Sequence, residues 1–168
     1  MANWITSTYD KSSKVVVKYF KDLPFRVDIT FDLWSSPNHC SFLGVVAHWA
    51  IEEGVLRSST IAFRWFLGPH SGVNIASTLY SILERDEISA KLGHVTTDNA
   101  SNNDQALVEL SIVLGNKGIT FNLQSSRVRC FGHIIDLVVK RFLGELDWEV
   151  FEINNDTSAE EEERSLKS

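Results

Sequence analysis

The sequence predicts an α/β fold with a mixed five-stranded sheet flanked by helices, in which three antiparallel strands come first and helices then alternate with strands. Residues 25–31 alternate apolar and polar side chains with the period of two that is typical of a strand. Two further apolar stretches follow and are joined by a Gly-containing turn at residues 52–54. Beyond residue 70, apolar positions spaced three and four apart indicate three helices that alternate with two short strands.

Length and composition restrict the class of protein. A chain of 168 residues fits one domain that buries roughly two-thirds of its unfolded surface. Its 2 cysteines exclude a disulfide scaffold and a four-thiolate zinc site. No apolar run approaches the roughly 20 residues that span a bilayer, and the N-terminus lacks signal-peptide features, so we expect an intracellular protein without a membrane partner. The net charge of −6 argues mildly against nucleic-acid binding, although much of the acid lies in the tail.

The chain divides into three predicted parts. Residues 1–24 form a helical lead-in, because four apolar residues of residues 15–20 make one stripe between lysines. Residues 25–144 form the core. Residues 145–168 lose the apolar periodicity and gain a run of glutamates, so we expect an acidic, disordered tail there.

The second and third strands are predicted at residues 41–51 and 55–67. The second is apolar at nearly every position, as expected for a strand covered on both faces. Ser71 is placed to cap the following helix, and residues 92–97 form a fourth strand that ends at Asp98.

The end of the predicted core contains one more helix, one strand and a final helix. The helix after Asp98 ends around residues 115–118, residues 119–126 give no clear pattern, and residues 127–131 form a short fifth strand. A last helix begins at His133. Its predicted buried residues are Ile134, Leu137, Val138, Phe142 and Leu143.

Two aspartates are the candidate site. Asp32 lies near the end of the first strand and Asp98 ends the fourth, and a right-handed crossover that returns the fourth strand beside the first brings both to one site. Bound Mg²⁺ or Mn²⁺ lets both carboxylates stay ionised, and such metals support phosphodiester cleavage. The structural alternatives are that Asp32 is the last polar residue of a half-solvated face and that Asp98 caps the next helix.

Five short motifs occur in a fixed order along the chain. They are Asp32-Leu33-Trp34-Ser35-Ser36-Pro37-Asn38, Gly44-Val45-Val46-Ala47-His48-Trp49, His70-Ser71-Gly72-Val73-Asn74, Asp98-Asn99-Ala100-Ser101-Asn102-Asn103 and Arg129-Cys130-Phe131-Gly132-His133-Ile134-Ile135-Asp136-Leu137. In this order they resemble the hAT superfamily of DNA transposases, and its fungal branch most closely. The resemblance covers about residues 5–143.

The resemblance implies an RNase H-like catalytic core that acts on DNA by a DDE-type mechanism, in the nucleus. Asp32 and Asp98 match the first two catalytic acids, which bind Mg²⁺ or Mn²⁺, and Cys130 and His133 match the family's Cys-x-x-His motif, which supports DNA handling. Implied partners are transposon-end DNA in an intact relative, and a second copy or an intact transposase.

Other residues are candidate DNA contacts. Trp34 can stack on an unpaired base or pack under the adjacent turn, and Arg127 and Arg129 can contact phosphate. Cys130 has three alternative interpretations. It could be a zinc ligand, which would need further ligands, or a nucleophile, or a small residue of the core.

The chain also departs from the family pattern. The family's third acid is a glutamate beyond a large helical insertion, and this sequence stops soon after the Cys-x-x-His helix, so Glu145, Glu149 and Glu152 do not match it. We therefore expect a truncated catalytic core that binds metal weakly and is inactive alone. Two alternatives stay open: a domesticated nucleic-acid- or protein-binding module, and a different metal-dependent nuclease that completes its site with Glu145 or Glu149.

Overall fold

The computed structural model describes residues 2–37, 40–52 and 54–144. Within these ranges the sheet and helices follow the predicted order, with two short additions, a 3₁₀ turn at Ser89–Lys91 and a four-residue helix, α4. The elements are α1 (Ala2–Asp22), β1 (Val27–Ser35), β2 (Ser41–Ala50), β3 (Leu56–Phe66), α2 (Gly72–Arg85), β4 (Leu92–Thr97), α3 (Ser101–Asn116), α4 (Leu123–Ser126), β5 (Arg127–Arg129) and α5 (Phe131–Gly144).

The strands form one five-stranded sheet with the order β3-β2-β1-β4-β5. β1 pairs antiparallel with β2, and β2 pairs antiparallel with β3. β4 lies parallel to β1, and β5 lies parallel to β4. The predicted mixed sheet is therefore confirmed, including the return of the fourth strand to the side of the first.

The core lies on one face of this sheet. Along β1 the buried residues Val27, Ile29 and Phe31 alternate with more exposed polar residues. The buried side chains of β1, β2 and β4 pack in one cluster with the apolar faces of α2 and α3 and with Phe20 at the end of α1. The helices of this part of the chain therefore cover the same face.

The end of α1 is held by a lysine from the 3₁₀ turn. Lys91 Nζ donates hydrogen bonds to the backbone carbonyls of Phe20 at 2.7 Å, Lys21 at 2.6 Å and Leu23 at 2.7 Å. A cation suits this position because the carbonyls at a helix C-terminus lack partners within the helix and carry partial negative charge. Lys91 therefore attaches the end of α1 to the core. No described helix is long and apolar enough to cross a membrane.

The structure corrects the expectation for β2. Buried Leu43, Val45 and Ala47 alternate with half-buried neighbours, so the prediction that this strand is covered on both faces is wrong for the described residues. The physical reason is that α1, α2 and α3 all contribute to the core on one side.

Residues 119–126, which gave no clear sequence pattern, contain the short helix α4. The backbone N–H groups of Gln124 and Ser125 in this helix donate to Asn122 Oδ1.

The chain divides after Cys130 into two compact units, and α5 belongs to the second. No residue of α5 is buried. The predicted burial of its apolar face is therefore wrong, since α5 is the single element that the structure describes in that unit. The residues concerned are Ile134, Leu137, Val138, Phe142 and Leu143.

Several sequence-based statements concern residues outside the described ranges. These are the acidic tail at 145–168 with Glu145, Glu149 and Glu152, the turn residue Glu53, and the motif residue Asn38. The boundaries drawn at residues 24 and 144 stay predictions.

Helices α2 and α3 approach closely at Gly72. A Cβ atom added to Gly72 would lie 2.5 Å from Gln105 Cγ and 2.8 Å from the backbone carbon of Gln105. Because a backbone atom is involved, a change of side-chain rotamer cannot relieve the overlap. Gly72 therefore sets the position of the first turns of α3, which follow Asp98 in the chain.

We expect Gly72→Ala to lower the free energy of unfolding by about 1–3 kcal/mol, because the added methyl group pushes α3 away from α2. Denaturant unfolding followed by circular dichroism measures this. Gly115→Ala is the matched control, since Gly115 also lies in a helix and its added Cβ meets nothing within 4 Å. Equal stability of the two variants would contradict the close helix contact.

Candidate functional site

The carboxyl ends of three parallel strands meet at one edge of the sheet. In the parallel pairing of β1 with β4, Thr30 lies opposite Thr96. Asp32 and Asp98 each follow two residues later along these neighbouring strands. At the end of β5, the backbone N–H of Cys130 donates to the carbonyl of Thr97 at 2.9 Å. Asp32, Asp98 and Cys130 thus come to the same edge, where α/β sheets hold their ligands.

The carboxylate of Asp32 is exposed and without a hydrogen bond or ion pair to any residue in the described ranges. Its strand continues to Ser35 in pairing with β2, where Gly44 lies opposite Asp32. A Cβ atom on Gly44 would lie 3.3 Å from the ring of Trp34. The absence of a side chain at Gly44 therefore leaves room for Trp34 beside the aspartate.

Trp34 belongs to an aromatic cluster on the sheet. Its ring centroid lies 6.0 Å from that of Phe42 and 5.8 Å from that of Phe63, and Phe42 stacks in turn on Trp65. We call Trp34, Phe42, Phe63 and Trp65 the aromatic cluster. Trp34 is 39% exposed, Phe63 66% and Trp65 64%. Trp34 therefore packs on its neighbours, while its contact with DNA stays a prediction.

The carboxylate of Asp98 is held through one oxygen. Oδ1 accepts from the backbone N–H of Ala100 at 2.9 Å and from Asn103 Nδ2 at 2.6 Å. No described residue donates to the other oxygen, Oδ2. The N-cap of α3 is Ala100, and it has no side-chain cap bond. Asp98 therefore does not cap this helix in the usual way, since it bonds to the N–H of the N-cap residue instead of the first helical turn.

Two arginines of β5 hold the loop that carries Asp98. Arg127 Nη1 lies 2.5 Å from Asp104 Oδ1, and Arg127 Nη2 donates to the carbonyl of Asp98 at 3.3 Å. Arg129 Nη1 donates to Asn99 Oδ1 at 3.1 Å. The side chain of Arg127 is only 15% exposed, so its guanidinium already serves an internal role. Contact of either arginine with DNA stays a prediction.

The Cys-x-x-His residues fall in different units of the chain. Cys130 is a half-buried free thiol at the strand edge, and His133 lies in α5. Among the described residues, no group of three or more His, Cys, Asp or Glu side chains is arranged to hold a metal ion. The zinc reading of Cys130 therefore gains no support from the described part of the chain.

Asp32 and Asp98 offer hard oxygen donors. Among the described residues, nothing donates to the carboxylate of Asp32 or to Oδ2 of Asp98. This set suits Mg²⁺ or Mn²⁺, which keep several waters and take one or two protein carboxylates together with substrate phosphates. It does not suit zinc, which prefers a closed set of four nitrogen and sulfur ligands in structural sites. The residues present therefore fit a weakly held hard cation.

Asn103 was not among the site residues predicted from the sequence. The residue is 4% exposed, and its side-chain amide donates a hydrogen bond to Asp98. The signal was present in the helical spacing, because Asn103 lies on the buried stripe of α3. The other buried residues of that stripe are Ala106, Leu107, Leu110 and Leu114. A polar residue on an apolar stripe needs a hydrogen-bond partner, and the neighbouring Asp98 provides one.

Comparison with known proteins identifies the family. The family described as the ZBED1 RNase-like domain matches residues 30–124, a range that includes both aspartates and most of the sheet. The chain belongs to this family. The predicted relationship to hAT transposases is confirmed by maize relatives in addition to this family.

The relatives include proteins with different names. The chain is 30% identical over 122 residues to the putative transcriptional regulator tpeD of Talaromyces stipitatus, which covers 73% of this chain. It is 27% identical over 139 residues to a putative AC transposase of Zea mays, covering 82% of this chain. It is 22% identical over 155 residues to zinc finger BED domain-containing protein RICESLEEPER 2 of Oryza sativa, covering 91%.

The chain spans only a small share of these proteins: 14% of the Talaromyces protein, 17% of the maize protein and 22% of the rice protein. The family match and the maize relatives show that this domain is transposase-derived and RNase-like.

We expect Arg127→Met to lower the free energy of unfolding by about 1–3 kcal/mol, because Asp104 and the Asp98 carbonyl both lose a charged partner. Arg129→Met is the matched control on the same strand, since Arg129 is exposed and its guanidinium hydrogen-bonds only to the side chain of Asn99 among the described residues. Urea unfolding of the two variants tests this. The internal role of Arg127 would be contradicted if its replacement were as mild as that of Arg129.

Proposed function

We propose that this domain carries a metal-dependent site for DNA phosphodiesters, in which Asp32 and Asp98 bind Mg²⁺ or Mn²⁺. The observation that supports it best is the parallel register of β1 and β4, since the two aspartates each follow the Thr30–Thr96 pair by two residues. Bound there, the metal would supply a Lewis acid for a phosphodiester and lower the pKa of a bound water. The relationship to transposases supports DNA as the substrate.

The two carboxylates have different surroundings, and this supports different contributions. Asp98 is held by two hydrogen bonds to Oδ1, so its Oδ2 has a fixed direction. Asp32 has no described partner and is exposed, so it is free to adjust. Two carboxylates, one fixed and one adjustable, are few protein ligands for a divalent cation. We therefore propose weak binding, with a dissociation constant on the order of 1 mM, and dependence on DNA phosphates for further ligands.

We propose that the domain does not cleave DNA alone, and that in longer relatives it acts on transposon ends in the nucleus. The described residues contain no third acid grouped with Asp32 and Asp98. Trp34, Arg129 and Cys130 of the first unit are proposed as DNA-handling residues. His133 of the second unit is proposed as a further DNA-handling residue from its motif match alone. Arg127 contributes indirectly, because its guanidinium donates to the Asp98 carbonyl and so holds the loop that carries Asp98.

A second candidate is a binding module without catalysis. The aromatic cluster favours it, because Phe63 and Trp65 are 66% and 64% exposed on a sheet face that the described helices of the first unit do not cover. Exposed apolar patches of this kind mark interaction surfaces. A homologous protein named as a transcriptional regulator is consistent with a role outside transposition. On this reading the partner is a second copy or a longer transposase-related chain.

Titration with Mn²⁺, followed by the electron paramagnetic resonance signal of the free ion, tests the metal site. We expect the wild-type chain to bind Mn²⁺ and expect Asp32→Asn and Asp98→Asn each to weaken binding at least about tenfold, because each removes a charged ligand. Asp28→Asn is the matched control: Asp28 lies four residues earlier on the same strand, and its carboxylate bonds to His94. Equal weakening by Asp28→Asn, or no binding by the wild-type chain, would refute the site.

Incubation of the chain with supercoiled plasmid and hairpin DNA in Mn²⁺ separates the two candidates. We expect no cleavage by the chain alone. Metal binding that is strengthened by the added DNA supports the phosphodiester site. Metal binding that DNA leaves unchanged, together with co-purification of a longer relative, supports the binding module instead.

A further inference from the structure

Asn103 is a buried polar residue in the first turn of α3. The residue is 4% exposed, and its amide Nδ2 donates to Asp98 Oδ1 at 2.6 Å. Buried amides are retained where they are hydrogen-bonded, because an unpaired one costs free energy. The family match and the sheet pairing do not explain why an amide occupies this position of an otherwise apolar stripe.

The hydrogen bond from Asn103 restricts the rotation of the Asp98 carboxylate. The terminal torsion of an aspartate is broad and roughly two-fold, so a free carboxylate exchanges its two oxygens easily. Here both donors, Ala100 N and Asn103 Nδ2, act on the same oxygen. Oδ1 is thereby committed to the protein, and Oδ2 is the oxygen left for a ligand.

Asn103 is itself held in place from several directions. Its backbone N–H donates to the carbonyl of Ala100 at 3.0 Å. Two residues later, Gln105 packs directly on Gly72 of α2. Arg127 of β5 pairs with Asp104 and reaches the carbonyl of Asp98. The donor and the acceptor are therefore both attached to rigid elements, which is what a positioned ligand requires.

We propose that Asn103 is a positioning residue for the metal site: it fixes the Asp98 carboxylate so that Oδ2 is presented to the cation. This inference rests on the proposed function. It goes further in assigning the orientation of one ligand to an amide that does not touch the metal. Outer-shell partners of this kind change metal affinity by about 10- to 100-fold when they are removed.

If Asn103 had only a structural role, its replacement would change folding stability alone. The test therefore measures metal binding directly. Asn103→Leu keeps the approximate size and removes the donor, and Asn103→Ala is a second variant with a smaller side chain. Asn102→Leu is the control, because Asn102 is the exposed neighbour in the same helical turn. Circular dichroism first identifies the variants that are folded at the working temperature.

We expect folded Asn103 variants to bind Mn²⁺ about 10- to 100-fold more weakly than the wild-type chain, and Asn102→Leu to bind normally. Europium luminescence lifetimes in H₂O and D₂O add a spectroscopic readout. We expect an additional inner-sphere water on Eu³⁺ in the Asn103 variants, because the Asp98 oxygen leaves the ion. Unchanged affinity and unchanged hydration in a folded variant would overturn the proposal.

A measurement on the wild-type chain covers the case in which both Asn103 variants unfold. We expect Mg²⁺ to shift the side-chain amide resonances of Asn103 in a nitrogen-15 spectrum, while those of Asn102 stay in place. No shift at Asn103 in a chain that binds Mg²⁺ overturns the positioning role but leaves the metal site intact. No binding by the wild-type chain overturns both, so the two failures are distinguishable.

Discussion

The parallel pairing of β4 with β1 is the contact on which the site depends. Thr30 and Thr96 lie opposite each other in neighbouring strands, and an aspartate follows each of them two residues later in the sequence. In the sequence the two acids are 66 residues apart. A slip by one residue would turn the strand's buried side chains to the other face, so the burial of Ile29 and Val95 also fixes the register of the acids.

The one-sided core explains much of the remaining surface. With the helices of the first unit on one face of the sheet, the other face carries the polar residues of β1 and the aromatic cluster. Asp32 lies at the border between these two sets. The same feature therefore supports both functional readings, because the helices of the first unit leave the face that carries Asp32 and the aromatic cluster uncovered.

Strand order, and with it the position of Asp32 and Asp98 at one edge of the sheet, could be predicted from apolar alternation and the right-handed crossover rule. Burial could not be predicted as well. The apolar residues of β2 and α5 indicate which side chains would be buried, but periodicity does not show whether a covering element is present. Asn103 was missed for a different reason: its partner becomes evident only when the loop after β4 folds back on the first turn of α3.

The most direct test of the metal site is a crystal structure of the chain grown with Mn²⁺, with anomalous scattering used to locate the ion. We expect one peak within about 2.3 Å of a carboxylate oxygen of Asp32 and of Oδ2 of Asp98, with the Asn103 hydrogen bond on Oδ1 retained. Crystals without a peak at this edge, or a peak that contacts neither aspartate, would contradict it.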